Sequence, residues 1–225
     1  MEIKTLEVAG FAPALKAMRN PLNSWERSDT YYHYEYNDSD IPVLVDFKTG
    51  AADRELSTRL QKAGPEHCKH LRLIQVWADI TAPLYWWKQM DTYRMGVEKV
   101  SCSTMHKLTS RPLTFADFEM DGKPDNYDLR VMEILNEYID NIQNSATPEH
   151  EKQKTWRSLI RLLPEGYLQT RTVMLSYAAL RNIYKQRKGH KLKEWELFRT
   201  WVESLPESWM ITDDEPNRKE ESENA

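Results

Sequence analysis

Ser101-Cys102-Ser103-Thr104, with His106 close behind, puts a thiol, three hydroxyls and an imidazole into one short run. A thiolate attacks where a thiol does not, and a histidine four residues along a helix shares the cysteine's face and can take its proton. The competing reading is a small buried hydrophobe, which is what most lone cysteines are. Arg94 precedes this run. Its planar fork of donors matches a phosphate, while Glu98 at i+4 offers the plainer alternative of a surface ion pair. His67, between Glu66 and Cys68, stands either to contact a ligand or exchange a proton, or to cap the apolar run that follows. Arg181, Lys185, Arg187, Lys188, His190 and Lys191 gather positive charge toward a helix end, where it complements the helix dipole and would also suit a phosphorylated ligand. No glycine-rich phosphate loop, paired-carboxylate spacing or Ser/His/Asp arrangement is visible.

Composition narrows the classes. The 225 residues are 40% apolar and 29% charged, enough to bury a sizeable core. A net charge of -4 weighs against a general nucleic-acid binder but leaves room for a small anionic ligand. Cys68 and Cys102 are the only cysteines and lack zinc-type spacing, so no metal or disulfide framework is expected and a reducing, cytoplasmic setting is. No run reaches the length of a membrane span, and the first residues lack a signal-peptide pattern. Eight Trp and eleven Tyr against seven Gly supply core volume and also the means to stack a flat ligand.

The elements that must position these groups follow from periodicity. Met1 to Val8 reads as a strand, and Phe11, Ala14, Leu15 and Met18 fall on one helical face that Asn20-Pro21 ends. The tyrosine-rich stretch that follows is an ordered loop with room for a short strand. Ile41 to Phe47 reads as a strand, and Asp53 to Ala63 as a helix stopped by Gly64-Pro65. Leu71 to Ala78 is nearly continuous in apolar side chains, which predicts a strand buried on both faces. A helix starts at Pro83 with Leu84, Trp87 and Met90 inward and carries Arg94 about three turns along; Trp86 and Trp87 are expected in the core. After a connection over Thr109 to Tyr127, helices are predicted from Leu129, over Trp156 to Leu163, over Thr170 to Arg187 and over Trp195 to Leu205. The prediction is one α+β domain over 1–212, followed by a disordered acidic tail over 213–225.

Three stretches resemble the flavin-dependent thymidylate synthase family. GPEHCKHLRLIQVW resembles the segment in which Pro, Glu and His precede a strand. ITAPLYWWKQMDTYRMGVEKVSCSTMHKL lies without a gap on the segment leading into the signature Arg-His-Arg-x-x-Ser-x-x-Glu-x-Ser-x-Arg-Tyr. LIRLLPEGYLQTRTVMLSYAALRNIYKQRKGHKLKEWELF resembles the segment with Leu-Pro, Thr, a long helix, an arginine-ended turn and a Trp-Glu helix start. The patterns MRNPLNSW, DITAPLYWW and SCSTMHK are also shared with phage and prophage proteins placed near this family. On this register Thr92, Tyr93 and Arg94 replace the Arg-His-Arg triplet, Val97 the first serine, Val100 the glutamate, Cys102 the second serine and Thr104-Met105 the Arg-Tyr pair. Tyr177 and Ala179 fall where the nucleotide-binding helix has Asn and Arg, and Arg187 lies within one position of the dUMP-binding arginine.

The resemblance implies a mixed sheet with long helices packed against it, a homotetramer, and methylation of dUMP or a related pyrimidine nucleotide. FAD is the implied cofactor, with NADPH and methylenetetrahydrofolate as co-substrates. Under that reading His67, Tyr93 and Arg94 contact the flavin, Ser101, Ser103, Arg181 and Arg187 hold the nucleotide, and Cys102 touches the ligand or acts as nucleophile. The alternative is a nucleotide-binding or structural oligomeric protein that keeps the fold without flavin chemistry, because two of the three triplet positions are replaced.

Overall fold

The structure, a computed structural model, describes residues 1–213; the remainder of the expected tail and the side chain of His106 lie outside the described residues. In chain order the elements are β1 (Glu2–Ala9), α1 (Phe11–Met18), β2 (Tyr31–Tyr36), β3 (Pro42–Lys48), α2 (Ala51–Ala63), β4 (Gln75–Pro83), α3 (Leu84–Met90), β5 (Val97–Ser101), α4 (Thr104–Lys107), α5 (Asn126–Gln143), α6 (Glu149–Leu162), β6 (Leu168–Ser176), α7 (Tyr177–Gln186), α8 (Lys193–Glu203) and α9 (Trp209–Thr212). A mixed sheet runs in the order β1-β4-β6-β5, and β2 pairs with β3 antiparallel in a separate hairpin. The fold class is α+β, as expected.

The chain divides into two compact units. The first comprises Met1–Lys4, Ala78–Arg94 and Lys99–Val173; the second comprises Thr5–Trp77, Met95–Glu98 and the residues from Met174 onward. In the first, α5 and α6 bury Leu135, Ile139 and Leu159 with Leu108 and Leu113 from the connecting segment. Helix α5 starts at a reciprocal cap: Asp125 accepts from the Tyr127 and Asp128 amides at 2.8 and 2.9 Å, and Asp128 accepts from the Asp125 amide at 2.9 Å. Trp86 and Trp87 are buried edge to face at 4.9 Å, the Trp87 indole donates to the Gln169 carbonyl at 2.9 Å, and the Arg171 guanidinium lies 4.3 Å above the Trp87 ring.

In the second unit α1 buries the four residues whose spacing marks its face, Phe11, Ala14, Leu15 and Met18. Phe11 stacks on Phe47 at 4.5 Å and meets Tyr177 edge-on at 5.5 Å. Leu180 and Ile183 of α7 and Trp195, Phe198 and Val202 of α8 are also buried in this unit. Arg19 donates to Asp53 at 2.6 Å in a buried ion pair, and the Ser28 and Thr30 hydroxyls satisfy the other carboxylate oxygen.

Four boundaries differ from the periodicity reading, each for a local reason. The central strand runs over Gln75–Pro83 and alternates, with Val76, Ala78, Ile80 and Ala82 buried while Gln75, Trp77, Asp79 and Thr81 are half exposed. One face is therefore covered where two were expected. Helix α3 ends at Met90, short of Arg94. Side chains take its last carbonyls: Thr92 donates to the Gln89 carbonyl at 2.7 Å and Lys99 to that of Met90 at 3.2 Å, with Lys99 also reaching the Tyr93 carbonyl in the turn beyond at 3.3 Å. The helix expected over Thr170 to Arg187 is a strand followed by a helix, because Ser176 caps a new N-terminus, its hydroxyl accepting from the Ala179 amide at 3.2 Å. Helix α6 begins at Glu149, its early turns being charged and thus invisible to an apolar period. The room left for a short strand in the tyrosine-rich stretch is filled by β2.

Candidate functional site

A pocket of about 550 Å³ lies in the second unit, lined by residues of the 61–75 stretch, Met95 and Gly96, and the β6-to-α7 junction. That volume suits a mononucleotide-sized ligand. Gly96 makes the close approach possible. Its φ of 70° is left-handed, and a Cβ there would stand 2.5 Å from the Ser176 hydroxyl. The Ser176 amide donates to the Gly96 carbonyl at 2.9 Å and the Tyr177 amide to that of Ile74 at 3.0 Å. With the Ala179 amide on the Ser176 hydroxyl, the start of α7 is largely satisfied by the protein itself, so anion recognition falls to side chains.

Those side chains are Arg72, Arg181 and Lys185, accompanied by the amides Gln61, Gln75 and Asn182 and by the apolar Met95 and Met174. Arg181 and Lys185 are spaced i,i+4 and share one face of α7. Arg181 donates to the Gln61 side-chain oxygen at 2.8 Å; the Gln61 amide donates to the Ser57 hydroxyl at 3.0 Å, which meets His70 Nε2 at 2.9 Å. His70 is buried, and burial pushes its pKa down to about 4, leaving a neutral ring at the end of this chain of hydrogen bonds. Asp213 bridges Arg181 and Lys185, its Oδ2 lying 2.6 Å from the lysine nitrogen. Burial raises the Asp213 pKa, but hydrogen bonds from Lys185 and Arg181 outweigh it and the net position is below the usual carboxylate value.

Of the residues singled out in the sequence, Arg181 and Lys185 line this pocket. His67 is exposed; Gly64, Pro65 and Cys68 around it form the wall, and its backbone amide closes a turn onto the Gly64 carbonyl at 3.0 Å. The Arg187 guanidinium lies 4.4 Å above the Trp195 ring. Tyr93, Arg94, Ser101, Cys102 and Ser103 belong to the first unit. Arg94 is exposed in the turn after α3, and Tyr93 is half buried beside it. Cys102 is exposed and follows β5, with its amide donating to the Thr170 carbonyl at 2.9 Å and its carbonyl accepting from Gln169 at 2.8 Å. It is not on a helix with His106, so the helical spacing that motivated a cysteine–histidine pair does not apply. Close by, the exposed face of the β4–β6 pair carries Thr81 on Thr170 at 2.7 Å and Thr172 on Asp79 at 2.6 Å.

Sequence reasoning passed over Gly96, Gln61, Gln75, Arg72, His70 and Asp213. Gly96 had a readable signal, a lone glycine between an aromatic helix and a β-branched run; the others had none in local pattern. Among the described residues no three His, Cys, Asp or Glu are grouped to hold a metal ion, and no helix is long and apolar enough to cross a membrane.

No family model matches the sequence, and no curated protein matches it. Solved structures do. The chain is similar to flavin-dependent thymidylate synthase ThyX from Helicobacter pylori complexed with FAD and dUMP, with a TM-score of 0.68 at 17% identity over 95% of this chain and 99% of that one. A second structure of the H. pylori enzyme with FAD and dUMP gives a TM-score of 0.68 at 16% identity, over 95% and 98% of the two chains. The chain therefore has the flavin-dependent thymidylate synthase fold over 95% of its length.

Proposed function

We propose that this protein binds a pyrimidine nucleoside monophosphate of the dUMP type in the second unit's pocket. The observation that carries the reading is the convergence of Arg72, Arg181 and Lys185 with three side-chain amides on one concavity of about 550 Å³. Arginine and lysine supply the charge-assisted donors a phosphate needs. Gln75 and Asn182 offer polar side-chain atoms for a base or sugar, Gln61 holds Arg181 in place, and Met95 and Met174 offer soft apolar surface. The likeness to a protein complexed with dUMP supports the same ligand class. Calorimetric titration with dUMP tests it: saturable binding that Arg181→Gln weakens supports the site, and heats no larger than dilution reject it.

A flavin fits less well. On the signature register Thr92 has turned its hydroxyl to a helix carbonyl, leaving Arg94 as the one guanidinium of the triplet. At the start of α7 the buried Tyr177 donates its hydroxyl to the Pro206 carbonyl, and the Ala179 side chain has no polar atom. Apart from Arg94, these residues offer a flavin no charged donor. The likeness over 95% of this chain to a protein complexed with FAD supports a flavin-binding alternative; the synthase reading adds NADPH, methylenetetrahydrofolate and a cytoplasmic homotetramer to it. Protein that takes up FAD and turns yellow supports it; protein that stays colourless and monomeric sinks it.

A further inference from the structure

Helix α9 ends at Thr212, and Asp213 follows in the left-handed region at φ 66°. That turn lays its carboxylate along α7, where one oxygen accepts from Arg181 and the other lies 2.6 Å from the Lys185 nitrogen. Arg181 and Lys185 are two of the three cations lining the pocket. Two cations one turn apart that grip both oxygens of one carboxylate describe the charge and spacing that two phosphate oxygens would take. The ligand needed to satisfy them is thus already supplied by the chain itself, from the end of α9.

Resting on the pocket reading above, we infer that Asp213 is an internal competitor for the anion site, released when a phosphate monoester binds. A phosphate brings more charge and more acceptor oxygens than a carboxylate and can hold both cations while Asp213 turns to solvent. Asp213 is 44% exposed in its side chain, so its release needs little rearrangement. Binding is then weakened by the fraction of molecules in which Asp213 holds the site, the general cost of a binding-competent state that is only partly populated.

The test is calorimetric titration of dUMP and of inorganic phosphate into the wild type, Asp213→Asn and Asp213→Glu. The expected result is a Kd about threefold to tenfold tighter for Asp213→Asn, a gain set by how far the carboxylate depletes the competent state, with Asp213→Glu close to wild type. In an Arg181→Gln background the gain should shrink, and with Lys185→Gln added it should vanish. Wild type that binds, with Asp213→Asn no tighter, overturns the competitor role and leaves the pocket reading standing. A gain that persists when Arg181 and Lys185 are both replaced by Gln overturns it as well, since Asp213 would then act elsewhere. If no variant binds either probe, the pocket reading falls and the inference with it.

Discussion

Ser101 to Thr104 and the pocket at the start of α7 have different claims to be the working part of this protein. The first has reactive atoms: a thiol and hydroxyls, exposed at the end of β5, with Cys102 pinned by its backbone to Thr170 and Gln169. The second has few reactive atoms but has shape, with cations and amides lining a concavity. Chemistry needs a held ligand before it needs a nucleophile, because positioning turns an encounter into an effectively unimolecular event. Residue type pointed to the first region; enclosure and charge point to the second.

The largest expected effect lies at Gly96, on the pocket side. Gly96→Val forces a β-branched residue into φ 70° and drives its Cβ to within 2.5 Å of the Ser176 hydroxyl. A loss of about 3 kcal/mol in stability is expected, from backbone strain and steric conflict together. Chemical denaturation should show it as a lower midpoint, with dUMP binding lost under conditions where the variant is still folded. An unchanged midpoint would mean that the β6-to-α7 junction is not as tightly closed as described.

Next in size is Arg181→Gln, which removes a charged donor from the pocket. Binding of dUMP should weaken by about tenfold to a hundredfold, the range for hydrogen bonds to charged groups. Equal affinity would shift the site away from α7.

His70 sharpens the picture through pH. Its folded pKa, about 4, is below the ordinary 6.5, so the unfolded chain takes up a proton that the folded chain refuses. The stability this contributes is fully present above pH 6.5 and is lost as pH falls toward about 4. Melting temperature should fall across that window and fall less in His70→Gln. A matching fall in both proteins would assign the acid sensitivity to other groups. The smallest effect is expected from Cys102→Ala: an exposed thiol after a strand, with both backbone groups retained, should leave the melting temperature and dUMP affinity within error. A large loss of affinity would make the first region part of the binding site.

How far the sequence was readable depends on how far apart the cooperating residues lie. The face of α1 and the apolar series of α5 were legible because a helix repeats its buried positions every three or four residues, whatever else the chain does. The family resemblance was legible for a similar reason, since its segments are contiguous. The β6-to-α7 break was missed because Met174, Tyr177 and Leu180 keep a helical spacing across the point where Ser176 starts a new helix.

By itself, the sequence determined the α+β class, the fold resemblance, the buried Trp86–Trp87 pair and the cationic character of α7. Only the tertiary structure decided which of those cations share a site. Gly96 meets Ser176, Gln61 meets Arg181, and Asp213 meets both Arg181 and Lys185. These partners are separated by long stretches of chain. Local propensity carries no record of such pairs, because they exist only once the strands and helices between them have packed.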